Sequence, residues 1–156
     1  TARPTMPART LFSTEIAPLT HAQLRGLDSA GMEIGGHTRT HPILARLDER
    51  TAEFEINAGR EDLRGITGGA VDLFAYPNGR PGQDYTRRDV ELVRKAGFHG
   101  AVTTAWGYSD RATDPWQVPR IGTWNSTPAR LAARLVIARA RTRGAECSGA
   151  PSPARD

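Results

Sequence analysis

Lysine is almost missing from this chain. Lys95 is the single lysine among 21 basic residues, the rest being arginine. Cysteine is reduced to Cys147, which excludes an intrachain disulfide and a disulfide-stapled scaffold but leaves the compartment open. Aromatic residues make up only 6% of the sequence and do not alternate with a basic stripe, so a stacking surface for nucleic acid is not expected. No apolar run approaches the about 20 residues of a membrane-crossing helix, and the opening residues show no signal-peptide pattern. No Asp-Asp pair occurs anywhere.

What is present suits one domain. A chain of 156 residues can bury roughly two-thirds of the surface its unfolded form exposes. Its 38% hydrophobic and 24% charged content is ordinary for a globular protein. The net charge of +4 comes with an Arg-rich, Ala-rich composition, which reads as nucleotide bias of the genome before it reads as a nucleic-acid footprint. The chain opens on Thr1 rather than Met, which fits processing or a piece of something longer.

Residues 1–18 carry Pro4, Pro7 and Pro18 without a clear period and read as a linker or disordered arm, with a short strand possible at Leu11-Phe12. Thr20 predicts an N-cap for a helix through Ala30, stopped by Gly31. A short, buried strand over residues 32–35 follows. Asp48 caps a second expected helix through Ile66, ended by Gly68-Gly69. Residues 71–76 read as a strand, and Pro77-Asn78-Gly79-Arg80-Pro81-Gly82 as a loop. A helix over residues 86–96, a strand over 98–103 and a short strand over 118–121 come next. A last helix opens at Pro128 and is expected to end near Arg143. From Gly144 the small residues read as a disordered tail. The domain therefore spans 19–143. Strands alternating with helices predict an α/β fold with a mostly parallel sheet, whose sites gather at the C-terminal strand ends.

One segment stands out: Glu33-Ile34-Gly35-Gly36-His37-Thr38-Arg39-Thr40-His41-Pro42. Neutral imidazole is a good ligand for zinc and similar metals. A spacing of four brings both rings together if the segment forms one helical turn. On spacing alone, two surface histidines with Thr38 and Thr40 in local turns is the plainer account. The preceding Gly-Gly and the following Pro42 shift the reading toward a metal at a strand end.

Glu33 to Leu44, EIGGHTRTHPIL, resembles the second motif of the polysaccharide deacetylase family, the carbohydrate esterases with the chitooligosaccharide deacetylase homology domain. LFAYPNGR, Leu73 to Arg80, resembles the third motif region, and KAGFHGAVTT, Lys95 to Thr104, a later segment. The matches run in family order from about Leu19 to Ile121, about two-thirds of the chain. The resemblance implies a distorted (β/α) barrel, here partial. It implies His37 and His41 as ligands of a divalent metal, with zinc expected first. It also implies a hydrolase that removes acetyl groups from N-acetylated or O-acetylated sugars of an oligo- or polysaccharide. The metal would lower the pKa of bound water from about 15.7 toward ~7. The backbone N–H of Asn78 would stabilise the oxyanion, and Pro77 and Arg80 would border the substrate. A plain turn is the simpler account of the Pro77–Gly79 loop when it is taken by itself.

The family's opening Thr-Phe-Asp-Asp motif has no counterpart here, so the Asp base and the carboxylate ligand are absent from the chain. Ala75 and Asn78 stand where the third motif often has Arg and an aromatic. The late Leu-x-His motif is absent too, and His99 reads as structural in an apolar strand. Asp114 and Trp116 only loosely resemble the fourth motif, and Arg120 suits a buried carboxylate partner. The expectation is a chain incomplete at its N-terminus and inactive alone. Two other readings stand: a degenerate glycan-binding domain, and an Arg-rich module for anionic polymers or membrane surfaces through the 128–143 helix. Nucleic acid is not an expected partner. Oligomeric state and compartment stay open, although members of the family often work at the cell envelope.

Overall fold

A computed structural model of the chain describes residues 18–121 and 127–147. Most of the 1–18 arm, its Leu11-Phe12 strand and the tail beyond Cys147 lie outside the described residues.

The helix ends follow local chemistry. Helix α1 is His21–Ser29, where the Thr20 hydroxyl accepts from the Gln23 N–H and the Gln23 side chain reaches back to the Thr20 N–H. Helix α2 is Glu49–Thr67, capped by the Asp48 carboxylate on the Thr51 N–H and closed by Gly68 in the left-handed conformation. Helix α3 is Arg87–Lys95, with the buried Asp89 carboxylate accepting from both the N–H and the hydroxyl of Thr86. A 3₁₀ turn, Leu44–Arg46, precedes α2. Helix α4 is Pro128–Cys147, four residues longer than expected. Gly144 lies within it, and Cys147 is its last described residue.

The strands are shorter than expected. Strand β1 is Leu73–Ala75 and strand β2 is Gly100–Val102, paired in parallel with Phe74 opposite Ala101. The strand expected at 32–35 is reduced to a single parallel bridge from Gly36 to Phe74, and that expected at 118–121 to one from Val118 to Val102. Pro119 has no N–H to continue a ladder. The four segments nevertheless lie side by side in chain order, all parallel, as the wall of a (β/α) sheet requires.

Side chains alternate across the sheet. Phe74 is buried, packed against Phe98 and Tyr76 with ring centroids 5.1 and 5.3 Å apart. The core continues through Ala52 and Ile56 of α2, Val90, Leu92 and Val93 of α3, and Tyr85 stacked on Tyr76 at 3.9 Å. Burying each large side chain contributes about 1.5–3 kcal/mol. Leu73 points the other way and is 42% exposed. Met32 is 58% exposed, so the 32–35 segment is not the buried strand its sequence suggested. Gly36 is required where it stands, because an added Cβ would lie 2.8 Å from the Phe98 ring.

Candidate functional site

The segment after Gly36 leaves the C-terminal end of the sheet. His37 Nδ1 lies 2.6 Å from the carbonyl oxygen of Ala75, the last residue of β1. A carbonyl only accepts, so Nδ1 carries the hydrogen, and in the neutral ring it is Nε2 that holds the lone pair. That tautomer is the one a metal-ligating histidine adopts when its second nitrogen is tied to the backbone. The His41 ring stands edge-on to His37, with centroids 4.7 Å apart.

The rings do not meet through a helical turn. Thr38 and His41 both have φ of 62°, in the left-handed region, and the segment between them is irregular. A β-branched residue there is a conformational outlier. Local bonds hold it: the Thr38 hydroxyl donates to the His37 carbonyl at 2.5 Å and accepts from the His41 N–H at 3.1 Å. The larger anchor is Glu55 of α2. One of its oxygens accepts from the Arg39 and Thr40 N–H groups at 3.0 and 2.8 Å, and the other from the Thr40 hydroxyl at 2.8 Å. Glu55 is 8% exposed. Sequence reasoning missed it, although a signal existed. Glu55 falls on the stripe Ala52, Ile56, Gly59 that α2 buries, so a carboxylate there needed partners.

The loop after β1 lies beside this segment. Asn78 has φ of 56° and is exposed. Its carbonyl accepts from the Thr104 hydroxyl at 2.7 Å, and the Thr104 N–H donates to the Gly79 carbonyl at 2.8 Å, joining the ends of β1 and β2. The Asn78 N–H has no acceptor among the described residues. Pro77 is buried. Arg80, whose side chain is 63% exposed, folds back on its own loop: its Nε and Nη2 donate to the buried Asp84 carboxylate at 2.9 and 3.2 Å, and its backbone N–H donates at 2.9 Å. Those Arg80 side-chain hydrogen bonds hold the Asp84 carboxyl below the usual carboxylate range, outweighing burial, which opposes them.

The other residues singled out from sequence do different work. Arg120 donates from Nε to the Thr103 carbonyl at 2.7 Å, not to a carboxylate. Asp114 caps the Trp116 N–H and accepts from the Gln117 amide. His99 is not enclosed in the sheet. Its ring is 75% exposed, 3.8 Å from Asp72 at the opposite end of the strands. A cavity of ≈ 500 Å³ lined by Tyr85, Arg87, Arg94 and Asp114 shares no residue with the histidine loop. No cluster of three or more metal-ligating side chains occurs among the described residues. The donor chemistry of His37 and His41 fits a divalent metal as two ligands, and a third is not among those residues.

A parallel α/β sheet with paired histidines at the C-terminal end of its strands is the architecture of a (β/α) wall. The family model for polysaccharide deacetylases matches residues 5–101, well over half of the sequence, and the chain belongs to that family. The match starts ahead of Leu19, where the resemblance in the motifs began. Among solved structures, a deacetylase of Streptococcus pyogenes in complex with acetate superposes with a TM-score of 0.68 at 24% identity, covering 77% of this chain and 52% of that one. A polysaccharide deacetylase from Bacillus cereus gives 0.66 at 22%, covering 77% and 37%. IcaB from Ammonifex degensii gives 0.62 at 23%, covering 74% and 52%. These likenesses establish the (β/α) barrel fold, of which this chain spans about half the length or less. No curated protein matches the chain.

Proposed function

We propose that this chain carries the paired-histidine part of a metal-dependent deacetylase site, with zinc as the metal and acetylated oligo- or polysaccharide as the substrate. The observation that carries the reading is the His37 imidazole, tied through Nδ1 to Ala75, with the His41 ring edge-on to it at 4.7 Å between centroids. A metal held there would supply an acidified water and a Lewis acid for an acetyl carbonyl. The chain's own residues would bring the two donors and the N–H of the exposed residue Asn78, which would donate to negative charge developing on an acetyl oxygen. Acetate in the Streptococcus pyogenes structure is the product such chemistry releases, and supports the same class of reaction here. The bond broken would be the carbon–nitrogen bond of an N-acetyl group, or the ester bond of an O-acetyl group.

The sequence holds no Asp-Asp pair, so this chain alone has no evident base and its turnover is expected to be low. The test is zinc binding by calorimetry, set beside acetate release from acetylated chitooligosaccharides. Tight zinc binding that disappears in His37→Ala/His41→Ala supports the reading. Binding indifferent to those substitutions overturns it. Zinc binding and glycan binding without acetate release would favour a degenerate, glycan-binding member of the family.

A further inference from the structure

Two features of α2 meet the histidine segment, and the proposed chemistry uses neither. Glu55 spans its backbone with one carboxylate, joining two consecutive N–H groups and a hydroxyl. Gly59, one turn further on, lets the same segment pack closely: an added Cβ would lie 2.7 Å from the Thr38 carbonyl carbon. We propose that Glu55 is the positioning residue of the histidine loop, with Gly59 as the seat on which that loop rests. The inference rests on reading His37 and His41 as metal donors.

The physical case starts from strain. Thr38 and His41 sit in a backbone region that side-chain-bearing residues avoid, and such residues persist only where their surroundings over-determine them. The Thr38 hydroxyl supplies part of that constraint, but it belongs to the strained segment and moves with it. Glu55 does not. It sits in a 19-residue helix whose neighbouring positions Ala52 and Ile56 are core, so its carboxylate is a fixed reference. Bonds from N–H groups to a carboxylate oxygen are stronger than those to a neutral acceptor. They fix the Arg39-Thr40 peptide and, through it, the left-handed residues on either side. Two donors held in place before the metal arrives lose less freedom on binding.

The test uses the full chain and four variants: Glu55→Ala, Glu55→Gln, Gly59→Ala and His37→Ala/His41→Ala. Three quantities are read: zinc affinity by calorimetry, amide hydrogen exchange residue by residue, and the thermal midpoint. Glu55→Ala should weaken zinc by about 10–100-fold, as loss of an orienting partner does. Its Arg39 and Thr40 amides should exchange faster while those of Val93 and Ala101 keep their protection. Glu55→Gln, which can still accept the two N–H bonds and face the Thr40 hydroxyl but without the charge, should fall between the parent and Glu55→Ala in both zinc affinity and loop exchange. Gly59→Ala should loosen the loop and weaken zinc although alanine suits a helix better than glycine does.

Wild-type exchange and affinity in Glu55→Ala would overturn the proposal. So would a loss shared equally by the core amides, which marks general destabilisation. Should Glu55→Ala fail to fold, Gly59→Ala decides: unchanged loop exchange and zinc affinity would overturn the proposal. If the parent binds zinc no better than the double histidine variant, the metal reading fails by itself. Loop-specific exchange in Glu55→Ala then still upholds the positioning role, and its absence overturns it.

Discussion

The two ends of the sheet use the same residue types to opposite effect. At the N-terminal end Arg60 of α2 closes the structure. Its guanidinium donates to the carbonyls of Val71, Ala96 and Gly97 at 2.7, 2.5 and 3.0 Å, reaches Asp72 at 3.4 Å and lies over the Phe98 ring. At the C-terminal end a carboxylate of the same helix, Glu55, accepts from backbone N–H groups and the Thr40 hydroxyl, and two imidazoles remain exposed. One end spends its polar groups on its own carbonyls. The other fixes a strained loop and leaves nitrogen lone pairs open. In α/β sheets stability and chemistry commonly separate in this way between strand ends.

The sharpest way to break this comparison is a crossed pair of variants. His37→Ala/His41→Ala should abolish zinc binding while changing stability by less than about 1 kcal/mol, since both side chains are exposed. Arg60→Ala should do the reverse. It strips charge-assisted bonds from the carbonyls of Val71, Ala96 and Gly97 and should cost about 3 kcal/mol in urea unfolding, with zinc affinity unchanged in the folded protein. If Arg60→Ala also lowers zinc affinity at temperatures where it is folded, the two ends are coupled and the separation is false.

How far the sequence anticipates this arrangement depends on how local each signal is. Thr20, Asp48 and Gly68 mark helix ends because capping is settled within four residues, and each stands where it was expected. The His37/His41 pair was legible, although the path joining the rings was not: left-handed Thr38 comes from contacts with α2, far along the chain. Strand lengths were overestimated for the same reason. A run such as Val71–Tyr76 has the right composition, but its pairing is set by neighbours at residues 36 and 100–102. Glu55 looks like one more solvated carboxylate among Glu53, Glu61 and Asp62 until its place on the buried stripe is noticed. Arg80 read as bordering the substrate, and the sequence did not show that its Nε and Nη2 also bind Asp84 four residues on, with the side chain still 63% exposed.

A smaller effect tests whether the turn after β1 belongs to the rigid side of this division. Asp84 has its carboxyl pKa depressed by Arg80 in the folded chain. A depressed folded value contributes stability that is fully present above the unfolded carboxylate range, near about 3.9, and is lost as pH falls through the lower folded value. Asp84→Asn should therefore be less stable than the parent at pH 7, with the gap shrinking as pH is lowered toward 3. Urea titrations across that interval measure it. A gap that stays constant would mean the Arg80–Asp84 pair contributes through packing alone.

The smallest expected effect is at the fourth histidine, and it decides whether position or mere composition makes the site. His99 lies at the Arg60 end with Asp72 nearby, so a histidine and a carboxylate do meet there. The pair is 3.8 Å apart, the ring is 75% exposed, and Asp72 also faces Arg60 at 3.4 Å. An exposed pair of this kind contributes about 0–1 kcal/mol. No second imidazole stands beside it: His37 and His41 are at the other end of the strands, and His21 opens α1. His99→Ala should leave zinc affinity unchanged and stability within about 0.5 kcal/mol. A loss of zinc affinity comparable to that of a single His37 or His41 substitution would move the binding centre to the wrong end of the sheet. The Ala75 anchor of His37 would then be only a loop hydrogen bond, and the case built on it would have to be given up.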